Sequence, residues 1–227
     1  MNIAILAAGD FPTHPIPLQA LRNADYIVCC DSAYSHFSIF NFQFSIPFVV
    51  IGDGDSLTEE TKRELGDRWI HVAEQDYNDL HKAMAWIMAE VRSKRYEAPG
   101  VNDNSDLRIT ILGATGKRED HTLGNISYLV TFAMEYPGIK LEMLTDYGSF
   151  RSIAAGTHTF PSFPGQQVSL FAMDPTVALS CQELRWPLQD FHPLTWWQAT
   201  LNEALAHTFT LASTGWSILF QTYEPKA

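Results

Sequence analysis

Residues 48–56 are Phe-Val-Val-Ile-Gly-Asp-Gly-Asp-Ser, an apolar run that passes directly into an acidic turn with two glycines. An apolar run without alternation is typical of a strand buried on both faces, as in a parallel sheet covered by helices. Ligands of such sheets bind at the carboxyl ends of the strands. The stretch therefore predicts an α/β fold with Asp53 and Asp55 at its functional edge.

Short apolar runs alternate with stretches of helical period on both sides of this stretch. The predicted strands are Ile3–Ala7, Tyr26–Cys30, Phe48–Ile51, Trp69–Val72, Arg108–Leu112 and Lys140–Leu144. This alternation predicts a mostly parallel N-terminal sheet flanked by helices. The polar segment Glu97–Asp106 predicts a surface loop, because it is rich in turn-forming residues.

Two segments carry apolar residues at helical spacing. The first helix is predicted over Asp79–Val91, and its inward stripe is Leu80, Ala83, Met84, Ile87, Met88 and Val91. The second is predicted over about Asp120–Glu135, with an inward stripe of Leu123, Ile126, Leu129, Val130 and Ala133. These stripes would cover the faces of the sheet.

The pattern of apolar and turn-forming residues changes after about Asp146. Glycines and prolines then interrupt short apolar stretches, and only a weak helical period remains, around Trp196–Ala206. This predicts two domains: an α/β domain over 1–146 and a smaller, β-sandwich-like domain over 147–227. Four tryptophans fall in this last part: Trp186, Trp196, Trp197 and Trp216. They are expected to fill the core or an interface, or alternatively to present a ring to a flat ligand.

Composition and charge argue against several classes of protein. The 227 residues include 15 Lys and Arg and 26 Asp and Glu, a net charge of −11, without a basic stripe. This argues against binding to nucleic acid or to an anionic membrane. The apolar run Ile3–Ala8 is too short to span a membrane. Three cysteines without a C-x-x-C pair indicate a reducing compartment, so we expect a cytoplasmic protein.

The acidic turn is the first candidate site. Carboxylates at i and i+2, here Asp53 and Asp55, point the same way when the chain is extended. Gly54 between them permits close approach of backbone or ligand. Two convergent carboxylates suit Mg²⁺, which takes one or two carboxylates together with phosphate oxygens and water. The alternative is an acidic turn that caps a helix beginning near Thr58.

Residues 75–82, Gln-Asp-Tyr-Asn-Asp-Leu-His-Lys, open the first helix. Asp79 is favourable beside the positive end of the helix dipole, whereas Lys82 opposes it. Lys82 therefore indicates a nearby anion, unless it pairs with Asp79 three residues earlier. Two interpretations of these residues remain open: a helix cap with an ion pair, and a site for phosphate and metal.

Residues 113–121, Gly-Ala-Thr-Gly-Lys-Arg-Glu-Asp-His, connect a predicted strand to the second helix. A glycine-bearing loop at this position exposes N–H groups that can hold phosphate. Its spacing matches neither a P-loop nor a G-x-G-x-x-G turn. Lys117 and Arg118 supply local positive charge, and Asp120 and His121 begin the helix. A solvated turn capped by Asp120 is the alternative.

In order and spacing, these three motifs resemble the thiamine pyrophosphokinase family. Its pattern is a Gly-Asp-x-Asp-Ser turn, then an acidic helix start with Asp-x-x-Lys. A glycine-rich loop follows, ending Arg-x-Asp-His with Asn four residues on. Residues 52–56, 76–82 and 113–125 match these elements. The family pairs an α/β domain with a C-terminal β domain, so the likeness covers most of the chain.

The resemblance implies transfer of the pyrophosphoryl group of ATP to the hydroxyl of thiamine, giving thiamine diphosphate and AMP. It assigns Mg²⁺ to Asp53, Asp55 and Asp79, with Lys82 completing the catalytic set. The ATP-binding residues would be Asp31, Lys82, Gly113, Thr115, Gly116, Arg118, Asp120 and His121. The thiamine-binding residues would be Gln75, Asn202 and Trp216. The resemblance also implies a homodimer in which the β domain of the second subunit completes each site.

The chain departs from the family pattern in three places. Asp-Ser-Ala-Tyr-Ser at 31–35 stands where Asp-Gly-Gly-Ala-Asn is common, Phe48 follows the proline where Asp is usual, and Leu201 replaces Ser before Asn202. These changes bear on the nucleotide-base and thiamine contacts rather than on the metal ligands.

Two other classes of function remain open. Residues 49–57 also look like the nucleophile strand of haloacid-dehalogenase-like phosphatases, with Asp53 as the nucleophile. That motif normally lies near the start of its domain, whereas two predicted strands precede it here. The other class is a non-catalytic nucleotide- or thiamine-binding module. The sequence also leaves open whether thiamine or another hydroxyalkyl heteroaromatic is the acceptor.

Overall fold

The computed structural model describes residues 1–41, 45–96 and 107–225. The chain divides into two compact units, Met1–Asp146 and Tyr147–Ala227. The predicted fold class is confirmed: an α/β part with a parallel sheet is followed by a β-rich part. The loop predicted over Glu97–Asp106 lies outside the described residues.

The first unit alternates strands and helices, as the sequence predicts. Its strands are β1 (Asn2–Leu6), β2 (Tyr26–Cys30), β3 (Phe48–Gly52), β4 (Trp69–His71), β5 (Arg108–Leu112) and β6 (Lys140–Leu144). Its helices are α1 (Pro15–Arg22), α2 (Tyr34–Asn41), α3 (Glu59–Leu65), α4 (Asp79–Tyr96) and α5 (Glu119–Glu135). Short 3-10 turns lie at Asp31–Ala33 and Gly66–Arg68.

The six strands form a parallel sheet in the order β6-β5-β1-β2-β3-β4. From β1 the chain adds β2, β3 and β4 on one side, then returns to add β5 and β6 on the other. The connections therefore diverge between β1 and β5, which opens a crevice at the carboxyl ends of these strands. In β2 and β3 every residue after the first is buried, as expected of strands covered on both faces.

Helix α4 buries the predicted stripe over its described part, with Leu80, Ala83, Met84, Ile87 and Met88 each at most 2% exposed. In α5 the predicted position of Leu123 is wrong, because this side chain is 52% exposed. Asn125 faces inward instead and binds backbone, which rotates Leu123 towards solvent. Over the described residues, no helix combines the length and apolarity needed to cross a membrane.

The second unit is a pair of antiparallel sheets. Its strands are β7 (Gly148–Ile153), β8 (Gly156–Pro161), β9 (Gln166–Ala172), β10 (Leu179–Cys181), β11 (Leu188–Phe191), β12 (Asn202–Glu203), β13 (Thr208–Ser213) and β14 (Ser217–Pro225). One sheet has the order β12-β9-β14-β7 and the other β11-β10-β13-β8. Their shared core includes Leu170, Leu179, Phe209 and Leu219. This is a sandwich in which each sheet buries one face.

The weak helical period around Trp196–Ala206 produces only a single 3-10 turn, Trp196–Ala199. Leu201 adopts a positive φ of 58°, which ends the turn, and Asn202 then pairs with Val168 of β9. Of the alternatives for the tryptophans, a place in the core does not hold for three of them, whereas a place in an interface or against a ligand stays a prediction. Trp186, Trp196 and Trp197 are 57%, 44% and 72% exposed within the single chain.

All three cysteines are free thiols and all are buried. Cys29 and Cys30 lie on β2, and Cys181 lies on β10. Burial raises the pKa of each thiol, that of Cys181 to about 11. A thiol with such a pKa stays protonated and unreactive near neutral pH.

Candidate active site

The carboxylate of Asp31 lies buried beneath the acidic turn. Asp31 follows β2, is 3% exposed, and accepts the Gly54 N–H at 3.0 Å through Oδ2. A Cβ at Gly52 would lie 2.9 Å from Asp31 Cγ, so this position requires glycine. The end of β3 is therefore wrapped tightly around this carboxylate.

The turn after β3 is closed rather than extended, because Gly54 takes a left-handed φ of 84°. The Asp55 N–H donates to Asp53 Oδ1 at 3.1 Å, and Gln75 Nε2 donates to Asp53 Oδ2 at 3.0 Å. The extended arrangement expected of Asp53 and Asp55 is wrong. Asp53 is held by two hydrogen bonds, whereas Asp55 is exposed.

Two asparagines connect the start of α4 to α5 and to the loop after β5 by hydrogen bonds. Asn78 Oδ1 accepts the His81 N–H at 3.1 Å and so caps the helix. Asn78 Nδ2 donates to Asn125 Oδ1 at 3.1 Å, and Asn125 Nδ2 donates to the Ala114 carbonyl at 2.9 Å. These bonds connect the starts of two helices and the loop after β5.

Lys82 is a buried cation in the first turn of α4. Lys82 is 5% exposed, and its Nζ donates to Asp79 Oδ1 at 3.4 Å. A buried ammonium is unfavourable unless nearby negative charge compensates it. The ion pair considered from the sequence is thus present, next to two further carboxylates, Asp31 and Asp53.

These carboxylates perturb one another. Burial, followed by the charge of Asp31, raises the pKa of Asp79, although Lys82 opposes this. Burial likewise raises the pKa of Asp31. Hydrogen bonds from Gln75 and from the Asp55 N–H lower the pKa of Asp53. With one ammonium among three carboxylates, this wall of the site carries an excess of negative charge.

The loops after β1 and β5 interlock. The Gly9 N–H donates to the Gly113 carbonyl at 2.6 Å, and the Asp10 N–H donates to the Thr115 carbonyl at 2.8 Å. A Cβ on Gly9 would overlap both carbonyl oxygens. Gly113 and Gly116 have positive φ angles of 62° and 98°. The glycines thus permit two backbones to meet at the crevice.

The charged residues at the start of α5 bind protein groups. Lys117 Nζ donates to the Ala8 carbonyl at 2.8 Å. Arg118 Nε donates to Asp120 Oδ1 at 3.1 Å, and this contact lowers the pKa of Asp120 to about 2. The side chains of Arg118 and Asp120 are 70% and 63% exposed. The His121 N–H also donates to Asp120 Oδ1, at 2.9 Å.

A cleft of about 400 Å³ opens at this edge of the sheet. Among the predicted site residues, those on its walls are Asp53, Gln75, Asp79, Lys82 and His121. As far as the described residues show, the other predicted site residues of the first unit do not line it: Asp31, Asp55, Gly113, Thr115, Gly116, Arg118 and Asp120. The structure therefore brings the acidic turn and the start of α4 together in a space of ligand size.

Comparison with known proteins shows which family the chain belongs to. The thiamin pyrophosphokinase catalytic domain matches residues 18–142, and the substrate-binding domain of the same enzyme family matches residues 148–220. The chain belongs to the thiamin pyrophosphokinase family. The resemblance inferred from the three motifs is confirmed.

Individual family members match parts of the chain. Thiamine pyrophosphokinase 1 of Oryza sativa subsp. japonica is 29% identical over 153 residues, which cover 63% of this chain and 53% of that protein. Thiamine pyrophosphokinase of Bacillus subtilis is 36% identical over 99 residues, which cover 42% of this chain and 37% of that protein. The chain thus spans about half or less of the length of these relatives.

Solved structures of family members share the fold over nearly the whole chain. Thiamin pyrophosphokinase from Candida albicans has a TM-score of 0.80 at 18% identity, covering 98% of this chain and 90% of that one. Yeast thiamin pyrophosphokinase has a TM-score of 0.77 at 17% identity, covering 97% and 85%.

In the second unit of this family member, Asn202 is committed to backbone. Its Oδ1 accepts the Trp186 N–H at 3.1 Å, and its Nδ2 donates to the Trp186 carbonyl at 2.7 Å. Asn202 is 5% exposed, whereas Trp216 is partly buried. The geometry indicates that Asn202 positions the segment around Trp186.

Sequence reasoning assigned no role to several residues of this edge, among them Gly9, Asp10, Tyr77 and Asn78. Asn78 could have been found, because Asn directly before a helix is a common N-cap. The interlocking of Gly9 with the glycine-rich loop follows only from the pairing of β1 with β5.

Proposed function

We propose that this protein transfers the pyrophosphoryl group of ATP to the hydroxyl of thiamine, giving thiamine diphosphate and AMP. The observation that carries the proposal is the cleft in which Asp53, Asp79 and the buried Lys82 face one space. Family membership supports the same conclusion. Transfer of this kind depends mainly on positioning and charge neutralisation, which such a cleft provides.

Mg²⁺ fits the donor set of this wall. Asp53 and Asp79 line the cleft and, with the exposed Asp55 of the same turn, offer the hard oxygen ligands that Mg²⁺ prefers, and the excess negative charge favours a cation. Among the described residues, no group of three His, Cys, Asp or Glu side chains is placed so that it could hold a metal ion without further ligands. We therefore propose that Mg²⁺ binds together with ATP, whose phosphate oxygens complete its ligands. The metal would neutralise charge on the transferred group.

The chain's own residues bind and orient the substrates. Lys82, fixed by Asp79, would neutralise phosphate from the wall of the cleft. Arg118 would exchange Asp120 for phosphate, which is feasible because their contact is exposed. His121 and the buried Asp31 complete the proposed ATP side, together with the loop residues Gly113, Thr115 and Gly116.

For thiamine we propose Gln75 on the cleft wall and Trp216 from the β domain of a second subunit, where Asn202 holds the segment around Trp186 in place. We also propose a homodimer that completes each site. Apolar side chains exposed on the second unit support it: Trp186, Leu194, Trp197 and Leu201. Sedimentation of the purified protein tests the dimer. A cytoplasmic location is supported by the three unpaired cysteines.

A haloacid-dehalogenase-like phosphatase is disfavoured. The nucleophile motif of that class normally lies near the start of its domain, whereas β1 and β2 precede Asp53 here. Family membership also argues against this class. A non-catalytic binding module is an outcome of the test below.

The test is to mix the protein with ATP, Mg²⁺ and thiamine and to resolve the nucleotide products by chromatography. We expect AMP in step with thiamine diphosphate. ADP as the product, or AMP formed independently of thiamine, would refute the proposal. Binding of both substrates without turnover would identify a binding module, and turnover with another hydroxyalkyl heteroaromatic alone would identify a different acceptor.

A further inference from the structure

Tyr77 is a half-exposed aromatic residue on the wall of the cleft. Its side chain is 50% exposed, and it lines the same space as Gln75 and Asp79. The proposed chemistry gives this ring no role. Ligand clefts commonly place aromatic rings against flat ligands, because such a ring buries a large area with few torsions to fix.

A column of rings supports Tyr77 from one side. The Tyr77 ring lies 4.0 Å from the His81 ring, centroid to centroid, at an interplanar angle of 12°. His81 contacts Tyr128 and Phe132 at centroid distances of 5.7 and 5.8 Å, and those two rings stack on each other at 5.1 Å. Phe132 is fully buried, so the column is anchored in the core.

The backbone of Tyr77 is fixed as well. Its N–H donates to Glu74 Oε1 at 3.2 Å, and the next residue, Asn78, caps α4. Because His81 covers one face of the ring, Tyr77 offers its other face and its edge to the cleft. A ring held in this way loses little conformational freedom when a ligand stacks on it.

We propose that Tyr77 is a stacking platform for a flat heteroaromatic ring of a substrate and thereby contributes to specificity. The identity of that substrate rests on the proposed function, since both thiamine and ATP carry heteroaromatic rings. A phenol ring stacks on an electron-poor ring and also attracts a cationic one.

The experiment measures binding of thiamine and of ATP separately, by calorimetry, to the wild type, Tyr77→Phe and Tyr77→Leu. Leucine keeps an apolar contact with His81 but removes the aromatic face. We expect Tyr77→Leu to weaken one ligand about 5- to 30-fold and the other less than about twofold. Tyr77→Phe should stay near the wild type, because it keeps the ring. The ligand that weakens is the one that stacks.

Tyr26→Leu is the matched control. Tyr26 also stacks on a ring, that of Trp86, at 6.3 Å and 23°, but it begins β2 at the opposite edge of the sheet. This variant should lower Tm and leave both affinities unchanged.

Four results would overturn the role of Tyr77. They are unchanged affinities in Tyr77→Leu, equal loss for both ligands, equal loss in Tyr77→Phe, and failure of the wild type to bind either ligand. AMP formation by the wild type tests the proposed function separately. Normal turnover combined with unchanged affinities in Tyr77→Leu would refute the platform alone.

Discussion

The cleft has one wall at the start of α4 and another at the start of α5, where His121 and Asn125 line it and Arg118 and Asp120 do not. These two starts of helices hold their charges in different ways. On the α4 side, Lys82 is nearly inaccessible and pairs with Asp79 beside two further carboxylates. On the α5 side, Arg118 and Asp120 form an ion pair that is more than half exposed. Buried charges are held by their partners, since an unpaired one is costly, whereas exposed ions exchange partners readily. One wall is therefore preorganised and the other is free to adapt to a ligand.

The largest expected effect is the loss of turnover on the preorganised wall. Asp53→Asn removes the charge but keeps a side chain of the same shape, so we expect a folded protein whose AMP formation falls by roughly 10²–10³-fold or more. Asp67→Asn, an exposed carboxylate elsewhere in the first unit, is the control and should behave like the wild type. Normal turnover in folded Asp53→Asn would remove Asp53 from the metal site.

Lys82→Met and Arg118→Met compare the walls directly. Removing one partner of a buried pair costs about 3 kcal/mol or more, so Lys82→Met should lower the free energy of unfolding by that amount. Arg118→Met should change it by less than about 1 kcal/mol, because the pair is exposed. Urea denaturation measures both. Equal losses of stability would show that the two walls do not differ.

Gly9→Ala tests the interlocked loops. Its Cβ would overlap the carbonyl oxygens of Gly113 and Thr115, so we expect a loss of about 1–3 kcal/mol in unfolding free energy. Gly124→Ala is the matched control. Gly124 lies in α5 with nothing within 4 Å of an added Cβ, and alanine there should stabilise the protein by about 1 kcal/mol. A neutral Gly9→Ala would show that the loops can separate.

The smallest effect concerns pH. Burial raises the pKa of Asp79 above the 3.8 of an unperturbed aspartate. The native state therefore binds the proton more tightly than the unfolded chain, and this contribution to stability is lost as pH rises through the raised pKa. Asp79→Asn lacks this titration. The stability of Asp79→Asn relative to the wild type should thus increase from pH 3.8 upwards, measured by denaturation at several pH values. A constant difference would contradict the raised pKa.

Local signals predicted the strands well. The segments Tyr26–Cys30, Arg108–Leu112 and Lys140–Leu144 form strands with the predicted bounds, because a short, mostly apolar segment between helical stretches is a local signal. The inward position of Leu123 was wrong for a non-local reason. Asn125, which donates to the Ala114 carbonyl eleven residues away, is buried on α5 instead, and such a bond cannot be read from helical periodicity.

The sequence predicts which residues form the candidate site better than it predicts their arrangement in space. Asp53 and Asp79 carry motif signals and line one cleft. Which loops meet at the crevice, and that Tyr77 stacks on a column of rings, depend on strand order and helix packing. Neither property is encoded in the spacing of residues along the chain.

The buried thiols make it possible to measure the opening of each unit separately. Cys29 and Cys30 lie in the first unit and Cys181 in the second, and none is accessible in the native state. An alkylating reagent can reach them only when the surrounding structure opens. The rate of alkylation at Cys181 therefore reports how often the second unit opens, and the rates at Cys29 and Cys30 report how often the first unit opens. Both rates are measured on the wild-type protein.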